Sequence, residues 1–459
     1  MRQGRRLSIQ TSACLAACAG LLQVRATAQL LDSRTPKFGW IDSTDLIAQK
    51  ADPPHPVPSK SPPVPASIKP STSDILLANL DPFNRWRTRF GLIASGIFDS
   101  NIFIQSTNEK SDYYFIIAPE FAVGSGDFFQ QLELRRQSFR LPDRFENADL
   151  VQHPSPSYIY LAYTPSYTAF VDHTNLNSFD QDAIFEIQHR FTKLALSGFA
   201  RYQSVKLPDI DLGTRVGERF TYAQATATYD WTPKSKLTDQ FYLQYRDYQV
   251  GVNALEMWDE FWYDYQITAK TRLGSGIAAG AIYPDAGPDQ YYGRVQARAT
   301  WKPTSRLTLA AKCGIEYHGV KNRGERAYPI FGLEGDFNFS DRTSVSLSVS
   351  QTVTTSADRE ALDYVARSVA VKIEQKIADR FRFDLTGGYQ NLEYDDAFSA
   401  RRGEFARTDN YFYIQPALNL TLLRWLSCDL TFEYRKDAST EASKSFHEFL
   451  TGVHFNIAF

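Results

Sequence analysis

Apolar and polar side chains alternate strictly along much of the chain from Arg87 onward. Between residues 426 and 435, every second residue is apolar and the residues between are polar. The apolar positions of this segment are Leu426, Cys428, Leu430, Phe432 and Tyr434. Successive side chains of a strand point to opposite faces. The pattern therefore predicts β-strands with one apolar and one polar face, and it recurs at residues 294–301, 307–317, 344–349 and 381–390.

The alternating segments can be counted along the chain. They begin near Arg87, Asp112, Tyr158, Ala183, Leu194, Phe220, Leu237, Glu260, Leu273, Tyr291, Leu307, Tyr328, Thr343, Tyr364, Arg380, Tyr411, Leu426 and Phe446. An even number of strands places both chain ends on one side of a membrane. The sequence thus predicts an all-β fold, a transmembrane antiparallel up-and-down β-barrel of about 18 strands, within roughly 16 to 20. Residues 124–175 leave the count open, because Phe128–Phe139 could add two strands or form a loop excursion.

Two kinds of connection alternate between the predicted strands. One kind is short, at residues 232–236, 302–306, 340–342 and 378–380. The other is longer and charged, at residues 207–218, 319–327, 356–362, 395–405 and 437–444. Short periplasmic turns and longer outer loops are typical of bacterial outer-membrane barrels. Trp231, Trp301, Phe339 and Trp425 lie at short turns, where an interfacial aromatic girdle belongs.

The N-terminal part of the chain has a different pattern. Three arginines within the first six residues, an apolar run to Val24 and the sequence Ala26-Thr27-Ala28 predict a signal peptide over residues 1–28. An alternative is a lipoprotein cleavage box at Leu15–Cys18, which would leave a lipidated Cys18. Residues 29–85 are Pro-rich and lack apolar periodicity, so we expect a disordered periplasmic linker. The barrel is then expected over residues 86–459.

Composition narrows the function classes. The formal net charge is −2, and removal of the signal takes away four arginines and no acidic residue. A mildly acidic exported chain is a poor candidate for binding nucleic acid. The seven histidines show no metal-ligand spacing, and Cys313 and Cys428 form no disulfide framework. We therefore expect no cofactor, no metal and no enzymatic activity. His454 should face inward as a hydrogen-bonded residue, and His447 should face outward.

A barrel of about 16 to 18 strands encloses an aqueous lumen unless something fills it. The polar faces of the strands predict the residues that line this lumen: Arg201, Arg246, Arg294, Arg298, Lys312, Asp384, Asp429, Glu433 and Glu448. The basic residues and the acidic residues lie on nearly opposite walls. This suggests a transverse electric field across a pore, and the alternative is local salt bridges along each wall.

The last strand alternates up to the final residue. Its outward positions are Phe449, Thr451, Val453, Phe455, Ile457 and Phe459. A terminal Phe that closes such a strand resembles the signal read by the outer-membrane barrel assembly machinery. The chain would then also contact outer-membrane lipid and lipopolysaccharide.

Residues 87–459 resemble the outer-membrane β-barrel porins associated with exopolysaccharide operons. The resemblance rests on Phe98–Ile102, Tyr163–Tyr167, the repeated short Pro/Lys turns and Phe459, whereas the insertion at residues 124–157 departs from the pattern. It implies an outer-membrane pore, with export of a polysaccharide as the finer expectation. The alternatives are a surface receptor or adhesion barrel that binds through its outer loops, and a soluble carbohydrate-binding β-protein. The solute, an open or occluded lumen, and a monomer or trimer stay undecided by the sequence.

Overall fold

A computed structural model describes residues 86–126, 157–322, 324–358, 363–395 and 407–458. The predicted signal peptide, the predicted linker and Phe459 lie outside these residues, as does most of the insertion at residues 124–157. The cleavage after Ala28, the lipidation of Cys18 and the linker character of residues 29–85 therefore remain predictions.

The described residues form 18 strands and two single-turn 3-10 helices. The strands are β1 Arg87–Asp99, β2 Asp112–Ser125, β3 Tyr158–Phe170, β4 Ser178–Arg190, β5 Leu194–Asp209, β6 Thr214–Thr232, β7 Ser235–Tyr248, β8 Ala254–Thr268, β9 Thr271–Pro284, β10 Gln290–Trp301, β11 Leu307–Val320, β12 Gly324–Ser340, β13 Thr343–Thr355, β14 Asp363–Ala378, β15 Phe381–Asp395, β16 Arg407–Leu423, β17 Leu426–Ser439 and β18 Phe446–Ala458. The 3-10 helices are Thr174–Leu176 and Ala442–Lys444.

The sheet closes on itself. Each strand pairs antiparallel with its neighbours in the chain, and β1 pairs with β18 from Gly91↔Ala458 to Asp99↔Leu450. A closed sheet has no edge with unpaired backbone groups, and this is the condition for spanning lipid with strands. The predicted antiparallel barrel and its count of 18 are confirmed. β2 pairs directly with β3, whereas Phe128–Phe139, which could add two strands or form a loop excursion, lies outside the described residues.

Several strands are longer than their alternation suggested. Strands expected to start near Ala183, Phe220 and Glu260 start at Ser178, Thr214 and Ala254. The segment 207–218, expected as a loop, is mostly the ends of β5 and β6, and only residues 210–213 connect them. The apolar half of the pattern comes from contact with lipid. Strand ends that extend beyond the lipid remain paired through their backbones. Their outward side chains are no longer selected to be apolar, so the alternation does not reveal them.

The outward face of the barrel is apolar. Ile277, Val295 and Leu430 are 58%, 64% and 48% exposed, although such residues are usually buried in a soluble protein. Trp231, Trp301, Phe339 and Trp425 are also exposed, as expected for an aromatic girdle at the short-turn end. Among the described residues, no helix is long and apolar enough to cross a membrane. An apolar belt around a closed 18-stranded sheet is the geometry of an outer-membrane protein, so the chain is a transmembrane barrel of the bacterial outer membrane.

The chain ends and connections orient the barrel. β1 begins and β18 ends at the end of the barrel that carries the short turns, which is the periplasmic end in proteins of this type. The odd-to-even connections, among them residues 210–213 and 440–445, lie at the outer end. The long connection from β2 to β3 is the exception at the periplasmic end.

Candidate functional site: the lumen and its outer mouth

The nine residues predicted to line the lumen all lie on the inward-facing side of their strands. Seven are at most 6% exposed: Arg201, Arg294, Lys312, Asp384, Asp429, Glu433 and Glu448. The side chains of Arg246 and Arg298 are 16% and 10% exposed. Low exposure on the inner face means that these side chains lie against neighbouring groups.

The predicted basic residues are each paired with a carboxylate of the same wall. Arg201 makes a two-pronged contact with Asp182, with 2.8 Å from Nε to Oδ1 and 2.6 Å from Nη2 to Oδ2. Arg246 Nη2 lies 3.8 Å from Glu256 Oε2. The planar guanidinium matches a carboxylate, and two parallel hydrogen bonds fix its orientation along the wall.

Small inward-facing residues of β9 make room for the long side chains of the neighbouring strands β8 and β10. Its inward positions carry Gly274, Gly276, Ala278 and Gly280, whose small size leaves a groove in the wall. A Cβ added at Gly276 would lie 2.6 Å from the Trp262 ring. A Cβ added at Gly280 would lie 2.3 Å from Tyr292 Cζ. Inward side chains of β8 and β10 therefore meet across β9 and lie along the wall.

The contacts over this groove form one network. Lys312 Nζ donates to Glu260 Oε1 at 2.9 Å, and Arg294 Nε donates to Glu316 Oε2 at 2.6 Å. Arg298 pairs with Asp264, and its guanidinium carbon lies 4.2 Å from the centroid of the Trp262 ring. Charge-assisted hydrogen bonds and cation–π contacts compensate these buried cations.

The predicted acidic residues also have local partners. Arg382 Nε donates to Asp384 Oδ2 at 3.1 Å, and Asn456 Nδ2 donates to Asp429 Oδ2 at 2.6 Å. Arg435 pairs with Glu448 and lies 3.7 Å from Glu433 Oε1. Both walls therefore combine the two signs of charge. The geometry supports the local salt-bridge alternative, and we do not retain the transverse field.

The connection between β5 and β6 crosses the lumen at the outer end. Its tip, residues 210–213, contacts β15, β16 and the connection that follows β13, which lie about half-way round the barrel in the strand order. We call this tip the latch. Its carboxylate, Asp211, is fully buried.

Asp211 holds the latch to the opposite wall. Its carboxylate accepts hydrogen bonds from Ser356 Oγ at 3.0 Å, the Ala357 backbone N–H at 2.7 Å and Tyr394 OH at 2.8 Å. Arg407 Nη2 lies 4.0 Å from Asp211 Oδ1. A buried carboxylate is stable only with such partners.

Two cations bind the backbone of the latch. Arg407 Nη1 donates to the Asp211 carbonyl oxygen at 3.0 Å, and Lys444 Nζ donates to the Leu212 carbonyl oxygen at 2.8 Å. Both cations also pair with Asp358, at 3.3 Å and 3.0 Å. Connections from three parts of the barrel therefore meet at one polar junction.

Apolar side chains complete the latch. Ile210 packs in a buried cluster with Ile104, Tyr411 and Phe446, and Leu212 packs against Val216, Tyr248 and Ala357. The Val252 N–H donates to the Ala357 carbonyl oxygen at 2.8 Å, which adds the β7–β8 connection. The outer mouth is thus narrowed by packed and hydrogen-bonded chain.

Sequence reasoning did not find the latch residues. Asp211, Arg407 and Lys444 fall in segments expected to be outer loops or their margins, and nothing in the local pattern pairs them. The carboxylate partners on β8 could have been predicted from the sequence. Glu256, Trp258, Glu260, Trp262 and Asp264 occupy every second position and therefore share one face of the strand.

The two histidines of β18 lie on opposite faces of the strand. His454 is buried on the inner face, 2.8 Å from Ser95 Oγ and 3.0 Å from Thr431 Oγ1, whereas the His447 side chain is 54% exposed. Cys313 and Cys428 are free thiols. Over the described ranges, no group of three or more His, Cys, Asp or Glu residues could hold a metal ion.

No family model matches the chain, and no curated protein matches its sequence. Solved structures of outer-membrane barrels resemble it in fold. The copper transporter OprC matches 79% of this chain with a TM-score of 0.43 and 8% identity, and the chain spans 63% of its length. Pseudomonas aeruginosa OpdK, solved with vanillate, has a TM-score of 0.41, 11% identity, and coverage of 81% of this chain and 99% of that chain. Acinetobacter baumannii OccAB4 has a TM-score of 0.42, 12% identity, and coverage of 81% and 98%. These similarities concern the barrel fold alone.

Proposed function

We propose that the protein forms a pore for hydrophilic solutes through the outer membrane, narrowed at its outer mouth by the latch. The observation that carries the proposal is the inner face, whose charged residues lie along the wall in ion pairs from β4 to β18. A barrel of 18 strands is wide enough to enclose water. Side chains that pair along the wall do not need to extend to the barrel axis, so the proposed passage runs along that axis.

The finer proposal, from the family resemblance, is that a saccharide or exopolysaccharide passes outward through this pore. Ion-paired and hydrogen-bonding walls suit a hydrated sugar chain, because they offer many exchangeable polar partners. The latch then acts as the element that a passing chain must displace.

Assembly and surroundings belong to the same proposal. Phe449, Val453 and Phe455 are exposed on the outward face of β18, as the proposed assembly signal requires, and Phe459 lies outside the described residues. We propose that the barrel assembly machinery inserts the chain and that lipid and lipopolysaccharide contact the apolar belt.

The test is reconstitution into planar bilayers and liposomes. The wild-type chain should show small conductance steps. An Asp211→Ala variant, which releases the latch, should show larger steps and admit sugars of larger size in a swelling assay. If neither variant conducts ions or admits sugars while both migrate as folded barrels, the pore proposal is rejected. The surface receptor or adhesion barrel then becomes the better interpretation.

A further inference from the structure

In the part of the chain that the structure describes, the connections at the two ends of the barrel differ in charge. Each of the seven short periplasmic turns in the described part of the chain contains at least one Lys or Arg. The basic residues of these turns are Lys193, Lys234, Lys270, Lys302, Arg306, Arg342, Arg380 and Arg424, and the acidic ones are Asp341 and Asp379. The described outer connections carry the acidic residues Glu109, Asp172, Asp211, Asp285, Asp289, Asp358 and Glu441, and the basic residues Lys110, Lys321 and Lys444.

Five basic residues line one cleft at the periplasmic mouth. This cleft has a volume of about 400 Å³ and is formed where the β4–β5, β6–β7 and β8–β9 turns adjoin. Its basic lining residues are Arg190, Lys193, Lys234, Lys236 and Arg272. Its acidic lining residues are Asp230 and Asp264. The volume falls within the range of about 300 to 1,000 Å³ typical of small-molecule sites.

The two carboxylates do not balance the cations of the cleft. Asp230 is shared, with Arg190 Nη2 at 3.2 Å and Lys236 Nζ at 3.8 Å. Asp264 pairs with Arg298, deeper in the lumen. Arg272 Nε donates to the neutral Gln266 at 3.2 Å. The cleft therefore keeps an excess of positive charge.

The cleft extends from Trp231 of the aromatic girdle to residues that face the lumen. Asp264 and Arg272 lie on the inward-facing side of β8 and β9, the side that also carries Trp262 and Gly274. A group bound between them would lie at the opening of the lumen, on the path of a solute that arrives from the periplasm.

We propose that this cleft binds anionic saccharides, those that carry carboxylate groups, as they reach the pore from the periplasm. The ring of basic turns concentrates such a polyanion at the mouth, because a surface of one charge raises the local concentration and the association rate of the opposite charge. The proposal rests on the proposed pore function and narrows its solute to acidic chains.

Binding is measured first, on the purified full-length protein in neutral detergent. Fluorescently labelled oligogalacturonate should bind, with an affinity that falls as salt rises, and maltooligosaccharide of equal length should not. The triple variant Arg190→Gln, Lys193→Gln and Arg272→Gln should bind oligogalacturonate about tenfold more weakly. Equal binding of the neutral sugar by the wild-type protein would overturn the proposal.

A matched control removes the same charge from the rim outside the cleft. The variant Lys302→Gln, Arg342→Gln and Arg380→Gln should weaken binding less than about threefold. An equal loss in both triple variants would show diffuse attraction by the rim and would reject a defined cleft. Heat-modifiable migration on gels verifies that each variant is a folded barrel.

Two further arms separate the remaining outcomes. The protein in phosphatidylglycerol nanodiscs should bind oligogalacturonate as well as the protein in phosphatidylcholine nanodiscs. Loss of binding in phosphatidylglycerol would identify lipid headgroups as the occupant of the cleft and would overturn the proposal. In planar bilayers, oligogalacturonate on the periplasmic side should block the current. Conductance without binding rejects the cleft and leaves the pore, whereas binding without conductance rejects the pore and leaves the cleft.

Discussion

The outer and periplasmic mouths of this barrel are built in opposite ways. At the outer mouth, connections fold inward, and the latch buries Asp211 among hydrogen-bond donors and apolar side chains from several strands. At the periplasmic mouth, the seven described short turns have only two to five residues each, so they are too short to reach across the opening. They present exposed Lys and Arg side chains. One mouth is therefore governed by packing and the other by charge. Mutations should affect conductance at the first and selectivity at the second.

Release of the latch should have the largest effect. Asp211→Ala removes three hydrogen bonds to a buried carboxylate, each worth about 1.5–3 kcal/mol. The upper value for a single such hydrogen bond, about 3 kcal/mol, already moves a two-state equilibrium about a hundredfold, so single-channel conductance should rise several-fold. Asp289→Ala, an exposed outer residue paired with Lys321, is the control and should leave conductance unchanged. Equal conductance in both variants would show that the latch does not limit flow.

Gly213→Ala should weaken the same latch to a smaller extent. Gly213 has φ +64°, a region that disfavours a Cβ, and an added Cβ would lie 2.6 Å from Lys444 Cδ. Conductance should rise less than in Asp211→Ala.

Gly324→Ala is the matched control for this glycine, because Gly324 has φ +120° but no heavy atom within 4 Å of an added Cβ. It tests backbone strain without the contact to Lys444. If both alanine variants conduct alike, strain alone accounts for the effect of Gly213→Ala.

Between the two mouths, removal of wall cations should alter selectivity more than conductance. Arg294→Ala with Arg298→Ala leaves Glu316 and Asp264 without these partners. The ratio of cation to anion permeability, from reversal potentials in a salt gradient, should rise a few-fold. Unchanged selectivity and conductance would refute a pore-facing role for both arginines. Lys321→Ala, at the outer connection, should leave the ratio unchanged.

The smallest effect should come from the charge difference between the ends. In the latch-released variant at low salt, current should be larger at one voltage polarity than at the other, because basic and acidic mouths attract opposite ions. The asymmetry should disappear at 1 M salt, where the Debye length is about 3 Å. An asymmetry that persists at high salt would point to shape as its cause.

The resemblance and the strand pattern together predicted much of the wall but not what closes it. The outward faces of the strands could be predicted because lipid selects apolar groups at every second position, as at Leu430 and Val295. The same alternation also assigned the nine residues predicted to line the lumen to the inward faces of their strands, where the structure places them. Their pairing could not be predicted, because Arg298 reaches Asp264 across the intervening strand β9 and depends on the small residues there.

The sequence by itself determined the faces of the strands, their number and the unequal lengths of the two kinds of connection, because each depends on local periodicity. Only the tertiary structure decided that residues 210–213 cross the lumen to Ser356, Tyr394 and Arg407. Such contacts join residues more than 140 positions apart, and no local pattern encodes which buried carboxylate meets which donor. Closure of the sheet brings them together.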